Sequence, residues 1–256
     1  MTIASAIILG VIEGLTEFLP VSSTGHLILA TRILGIESTD AVKSFDIAIQ
    51  VGAIAAVAIL YRRIFLQSRR SVLLVMTAFI PTAIIGVLLH GFVRSYLLDS
   101  VTVVSWSLLL GGLFLIIFER FHRESSSTTD SIEAISVRQA VIIGLFQSVA
   151  IIPGVSRAAA TVIGGLMLGL KRRTVVEFSF LLAIPTMLAA TALDLLKTRS
   201  AISGHEALLI AIGGVTSFIV AIIAVRWFLS FIRNHSFTSF GIYRIIVGIV
   251  CLLLLR

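Results

Sequence analysis

Glu13 and Glu17 stand four residues apart, and helical geometry puts both carboxylates on one face. They lie inside the apolar stretch Ile3–Leu34. An ionised acid at membrane depth costs about 2.5–3.5 kcal/mol on the insertion scale, and two on one face repel unless a cation or proton lies between them. The structural alternative is a polar seam that packs two helices together. Pro20 then ends the helix, and Ser22-Ser23-Thr24-Gly25-His26 follows. One serine can cap the next helix. The other hydroxyls and the imidazole exceed what a cap requires. A hydroxyl with a histidine beside it is a nucleophile with a proton shuttle.

A second polar break interrupts the apolar stretch Val137–Leu170. It reads Pro153-Gly154-Val155-Ser156-Arg157. Ser156 can cap, and Arg157 opens the next helix. A buried arginine must face an anion, either Glu13 or Glu17 in a structural ion pair or a phosphate. Two half-helix N-termini aimed at one spot favour the phosphate, because free N–H groups and positive dipole ends converge there. Two carboxylates in a phosphate pocket then call for a bridging divalent cation, Mg2+ or Ca2+, held by Glu13 and Glu17. The residues therefore describe a metal-assisted intramembrane phosphoesterase acting on a lipid phosphate. Ser22, Ser23, Thr24 and water compete as nucleophile. Shifting the chain by 134 residues sets Ser22 on Ser156, both at cap positions, and Ser23 on Arg157. Ser23 is favoured on that ground, with Glu17 and His26 handling protons and Arg157 neutralising charge. Ser22, Thr24, Gly154 and Ser156 join Arg157 as expected substrate contacts.

The elements that position these residues follow from composition. Of 256 residues 58% are hydrophobic and 13% charged, with a net charge of +7, and the mean hydropathy is +1.10. A soluble domain carries about 25% charged residues. This chain is a polytopic membrane protein, with membrane lipids around it. An ordinary soluble enzyme, a disordered chain and a nucleic-acid partner are excluded. Met1–Gly10 has no basic region of the kind that opens a cleavable signal peptide. The lone Cys251 can form no internal disulfide.

Stretches of about 20 apolar residues predict spans at Phe45–Tyr61, Val72–Val93, Val101–Phe118, Val175–Leu196 and Ala207–Ile223. Phe240–Leu255 is a slightly short sixth. The two broken stretches read as helix, break, helix, hence as re-entrant hairpins, since irregular backbone at membrane depth must be buried in protein or reached by water. The expected fold is all-α, one integral membrane domain over 1–256, with six full spans and two re-entrant hairpins. Internal repeats cover about 1–123 and 137–256. Three crossings per half invert the second half relative to the first, with the site at the midplane. Arginines at 62, 63, 69 and 70, the run Lys171-Arg172-Arg173, and Arg226, Arg233 and Arg244 around a third loop are expected on the cytoplasmic side. That puts both termini, and residues 94–100 and 197–206, outside.

The stretch from Glu13 through Glu17, Pro20, Ser22, Ser23 and Thr24 to His26 resembles the first signature of the undecaprenyl-diphosphatase family, also called the bacitracin-resistance proteins. Pro153-Gly154-Val155-Ser156-Arg157 resembles its second. The likeness extends over the whole chain, including Phe45 to Gln50 and the stretch that begins at Glu177. It implies hydrolysis of undecaprenyl diphosphate to the monophosphate, a lipid carrier for cell-wall precursors. It also implies divalent-cation dependence, a plasma-membrane location, a site open to the outer face, and Glu13, Glu17, Ser22, Ser23, His26, Ser156 and Arg157 as site residues. A homodimer is one admissible assembly. Ala158 and Ala159 depart from the family's second motif, where serine and glycine are usual, and the loop from Tyr61 to Ser71 is short for the family. The alternative is a transporter or flippase of the lipid carrier, which needs no nucleophile. A different membrane phosphatase class would need a histidine at the position of Ile163.

Overall fold

The computed structural model describes residues 1–37, 39–97, 100–122, 130–197 and 204–254. Within them every regular element is helical: α1 (Ile3–Thr16), α2 (Ser23–Ile33), α3 (Asp40–Leu60), α4 (Arg62–Gln67), α5 (Arg69–Tyr96), α6 (Val101–Phe121), α7 (Val137–Ser148), α8 (Arg157–Met167), α9 (Arg172–Lys197), α10 (Gly204–Phe231) and α11 (Thr238–Leu254). Short 3-10 turns at Ile132–Ala134 and Val149–Ile151 complete the set. Helices α3, α5, α6, α9 and α10 are long and apolar enough to cross a membrane. The expected sixth span is α11, whose 17 residues fall short of that length. Leu255, and parts of the expected outer segments 94–100 and 197–206, lie outside the described residues.

Local chemistry sets the helix ends. Thr2 and Ser5 form a capping box at the start of α1, and Ser136 and Gln139 form another at the start of α7. Gly35 ends α2 at φ +65° and Gly169 ends α8 at φ +77°, a left-handed conformation that costs glycine little. Around them, Ile36 N–H donates to the Thr31 carbonyl and Leu170 N–H to the Gly165 carbonyl, the reverse-turn bond that closes a helix C-terminus. Starts, stops and these bonds recur 134 residues apart. The expected loop between Tyr61 and Ser71 contains the short helix α4.

The helices close on one another through small residues. A Cβ at Gly10 would stand 2.5 Å from the Gly213 carbonyl oxygen, and one at Gly14 would stand 2.6 Å from that of Ser217, so α1 lies directly on α10. Gly52 of α3 meets the Gly214 carbonyl, and Gly144 of α7 meets that of Ala78 on α5. Without a hydrophobic drive between helices in lipid, such backbone contact supplies much of the packing. The main buried cluster joins Phe18, Phe178, Phe180 and Phe228 to the apolar faces of α3, α5, α7 and α9. At one end of α6, Glu119 takes two bonds from Arg172, at 2.6 and 3.1 Å, and the Phe237 N–H. On the linker, Ser71 and Ser68 donate to Glu133 and hold its carboxyl below the usual range.

One expectation fails here. Arg244 does not flank a loop. It lies inside α11, 1% exposed, with its guanidinium bonded to backbone carbonyls. A guanidinium enclosed by carbonyls can sit within an apolar run, so its presence there marked burial rather than the membrane surface.

The α3–α10 contact generates a paired prediction. Gly52→Ala drives a methyl into the Gly214 carbonyl and should cost about 1–3 kcal/mol. Gly214→Ala meets nothing within 4 Å and should leave stability unchanged. Thermal unfolding of both purified variants checks the contrast.

Candidate active site

The two breaks meet. A cavity of about 190 Å³ is lined by Glu17, Ser22, Ser23 and Thr24 from the first and by Pro153, Gly154, Ser156 and Arg157 from the second. Gln50 of α3 and Thr186 of α9 complete its polar wall. Helices α2 and α8 both begin at this cavity. The sequence order explains why. Phe18, fully buried, packs edge-on against Phe180 at 5.4 Å and anchors the first break in the core beside Glu17. Ser156 Oγ accepts the Ala159 N–H at 3.2 Å as a cap and lies 3.4 Å from the Leu19 carbonyl, so it also donates across to the first break.

Glu17 is the hub. Its Oε1 accepts from Arg157 Nη2 at 3.0 Å, and its Oε2 accepts the Ser23 hydroxyl in a short bond. Arg157 Nη1 donates to the Ser179 carbonyl at 3.3 Å. An acid, a hydroxyl and a guanidinium from two distant segments are thus joined in one chain. Ser23 is paired with Glu17 and not with His26, the partner that helical spacing suggested. His26 turns away from the cavity: its Nδ1 lies 2.7 Å from the Ser22 carbonyl and its Nε2 2.8 Å from Tyr243 Oη. Ser22 also departs from expectation. It makes no side-chain cap bond, and it holds φ +72°, the only positive φ at a non-glycine among the described residues. The α2 N-terminus therefore keeps its first N–H groups free of a side-chain cap, whereas Ser156 does cap α8.

Glu13 sits behind Glu17 and does not line the cavity. It is fully buried and feels the charges of Glu17, Asp46 and Arg157, and as an ionised group neither of its oxygens has a donor, although it lies within hydrogen-bonding reach of the Glu17 carboxyl. Two oxygens without a donor at that depth fit either a cation or a proton shared with Glu17. Among the described residues no group of three or more His, Cys, Asp or Glu is arranged to hold a metal. Any cation here would use Glu13 and Glu17 with phosphate oxygens as the remaining ligands, which is how Mg2+ is commonly held.

Comparison with known proteins identifies the family. The family model described as "Bacitracin resistance protein BacA" matches residues 6–250. The chain belongs to the BacA family. A relative from Aquifex aeolicus named "Undecaprenyl-diphosphatase" is 48% identical over 250 residues, covering 98% of this chain and 97% of its own. One of the same name from Persephonella marina is 49% identical, covering 99% of each chain. A third, from Bdellovibrio bacteriovorus, is 43% identical, covering 100% of this chain and 97% of its own.

The BacA-family chain brings in residues that motif reasoning passed over. Asp46 on α3, with a buried oxygen lacking a partner, is near enough for its charge to act on Glu13. Gln50 and Thr186 reach the cavity, and Tyr243 meets His26. Asp46 and Gln50 lie within a stretch that already resembled the family, but one polar residue per helical turn reads as a packing seam. Tyr243 carried no signal, because a tyrosine in an apolar run is ordinary. Ala158 and Ala159, the departures from the motif, are buried, so they pack rather than line the cavity.

The breaks differ in what they tolerate. Gly154 holds φ +92°, and a Cβ there would stand 2.7 Å from both Ser107 Cβ and the Val104 carbonyl oxygen. Gly154→Ala should cost about 2 kcal/mol or more. Ser22→Gly, at a position already in the glycine region, should keep stability within about 1 kcal/mol. Melting temperatures of the two variants check this.

Proposed function

We propose that this chain is an undecaprenyl-diphosphate phosphatase. It hydrolyses the polyprenyl diphosphate to the monophosphate and inorganic phosphate, recycles the lipid carrier of cell-wall synthesis, and so confers bacitracin resistance. The observation that carries the reading is the Ser23–Glu17–Arg157 chain in a small cavity where two helices begin. Relatives matched along their whole length bear the phosphatase name. A carrier transporter would have no use for a hydroxyl held by a buried acid.

The chemistry follows from the contacts. The terminal phosphate enters at the uncapped N-terminus of α2 and takes N–H groups of Arg157 left over from Glu17 and Ser179. Ser23 Oγ attacks the terminal phosphorus. Its proton passes to Glu17 Oε2, the P–O bond to the bridging oxygen breaks, and polyprenyl monophosphate leaves. Water then cleaves the phosphoserine, restores the Ser23 hydroxyl and releases inorganic phosphate. Arg157 offsets charge on the equatorial oxygens as it develops. Mg2+ or Ca2+ at Glu13 and Glu17 would supply further neutralisation of the phosphate oxygens. His26 holds the Ser22 carbonyl, and through it the strained backbone from which Ser23 projects.

The matched caps and glycine stops support an inverted-topology repeat of six spans and two re-entrant hairpins, set in the plasma membrane. The arginines of α4 and the basic start of α9 mark the cytoplasmic side, and the cavity opens to the outer face.

Phosphate release from a polyprenyl diphosphate by the purified protein is the deciding experiment. Release should be abolished by chelator and restored by added Mg2+ or Ca2+. Movement of intact carrier without phosphate release would replace the phosphatase reading with a transporter. Arg157→Lys should lower turnover about 100-fold while the protein still folds, because an ammonium cannot serve Ser179, Glu17 and phosphate as a planar fork does. Ser23→Ala should lower it by roughly three orders of magnitude or more. Substantial turnover in that variant would assign the attack to water.

A further inference from the structure

Arg244 is among the most deeply enclosed charged groups of the described chain, and the reaction above gives it no role. Its Nη1 donates to the Pro20 carbonyl at 3.2 Å. Its Nη2 donates to the Gly154 carbonyl at 2.9 Å and to the Ser107 carbonyl at 3.1 Å. Pro20 and Gly154 are 134 residues apart and occupy the same place in the two breaks. One planar guanidinium therefore holds corresponding points of both hairpins, one terminal nitrogen to each. The neighbours make room for it. A Cβ at Gly111 would run into the guanidinium, and one at Gly112 would stand 2.6 Å from the Gly241 carbonyl oxygen, so this glycine pair on α6 admits both α11 and its arginine.

The preceding residue acts on the same loop. The His26 and Tyr243 rings are parallel within 6°, with centroids 5.5 Å apart. A carbonyl can only accept, so the bond to Ser22 places the proton on His26 Nδ1. Nε2 is then the acceptor, and Tyr243 Oη donates to it. The chain Tyr243 to His26 to Ser22 ends on the carbonyl of the strained residue beside Ser23. A buried charge spent on carbonyls alone is costly to keep for stability, and apolar replacement is often neutral or better.

We infer that Tyr243-Arg244 is a positioning pair for the phosphatase site: α11 holds the two breaks in register so that Arg157 of one meets Glu17 and Ser23 of the other. Neither residue lines the cavity, so both act through the groups they hold. The inference rests on the functional reading above, and one of its tests is independent of activity.

In the full-length protein, Arg244→Gln should lower kcat about 100-fold with KM within about threefold of native. In an Arg157→Lys background the same change should cost less than about threefold, because what it positions is already lost. An equal factor in both backgrounds would overturn the inference. Tyr243→Phe keeps the ring stack and should lower kcat about tenfold at native melting temperature; native kcat would remove Tyr243 from the pair. Should Arg244→Gln fail to fold, Arg244→Lys keeps the charge without the fork, and native kcat in that variant would refute the clamp. The activity-free readout is a spin-label distance between Thr24→Cys and Ala150→Cys, on opposite walls of the cavity, in a Cys251→Ser chain. Its distribution should be narrow with Arg244 and broaden by several ångströms in Arg244→Gln. An unchanged distribution would overturn the clamp whether or not phosphate is released. No phosphate release from the native chain, with the distance broadening as expected, would instead overturn the functional reading.

Discussion

The buried bond between Glu17 and Arg157 links residues 140 positions apart in the chain. Either group alone would be an unpaired charge at membrane depth. The pair exists only if both helical stretches break at the same level and face each other. That requirement accounts for the anchoring of Phe18 in the core, the reach of Ser156 across to Leu19 and the close glycine contacts that let α1 lie on α10. The pair also explains why an acid can act on Ser23. The guanidinium holds one oxygen of Glu17 and orients the carboxylate, so its second oxygen is directed at the hydroxyl.

The stretches around the two breaks share their starts and stops but differ in their polar partners. Gln147, placed as Glu13 is in the first half, has its polar atoms satisfied: Nε2 donates to Thr82 and Thr186, and Oε1 faces Thr161. Glu13 has no such partners, and the Ser217 hydroxyl is likewise unpartnered. Around the second break the polar network is closed. Around the first an acid is left without a donor.

Much of this was legible in the sequence. Apolar run length fixed five spans to within a few residues at most ends, because a helix in lipid has few alternatives. Both breaks were visible as proline with hydroxyls inside apolar stretches, and seven of the nine expected site residues line one cavity. The pairing of Ser23 was not legible. Helical spacing put His26 on its face, but Ser22 at φ +72° turns the backbone so that the hydroxyl meets Glu17 instead. Arg244 was misread because charge counting assigns every arginine near a loop to the membrane surface. The carbonyls of two distant breaks and of Ser107 on α6 explain it.

Helix α11 has 17 described residues, about 26 Å of helix, and it packs along α6 while its Arg244 reaches both breaks. A hydrocarbon core of about 30 Å is thicker than that. A bilayer meets such a shortfall by thinning locally, at a cost of fractions of a kcal/mol per ångström. Were α11 to cross the bilayer, the lipid next to this face would be drawn inward, with headgroups closer to the midplane than elsewhere. A diphosphate attached to a long apolar tail would then descend a shorter distance to reach Arg157, with its tail still in hydrocarbon. The short helix would in that way make the surrounding membrane part of the substrate's approach.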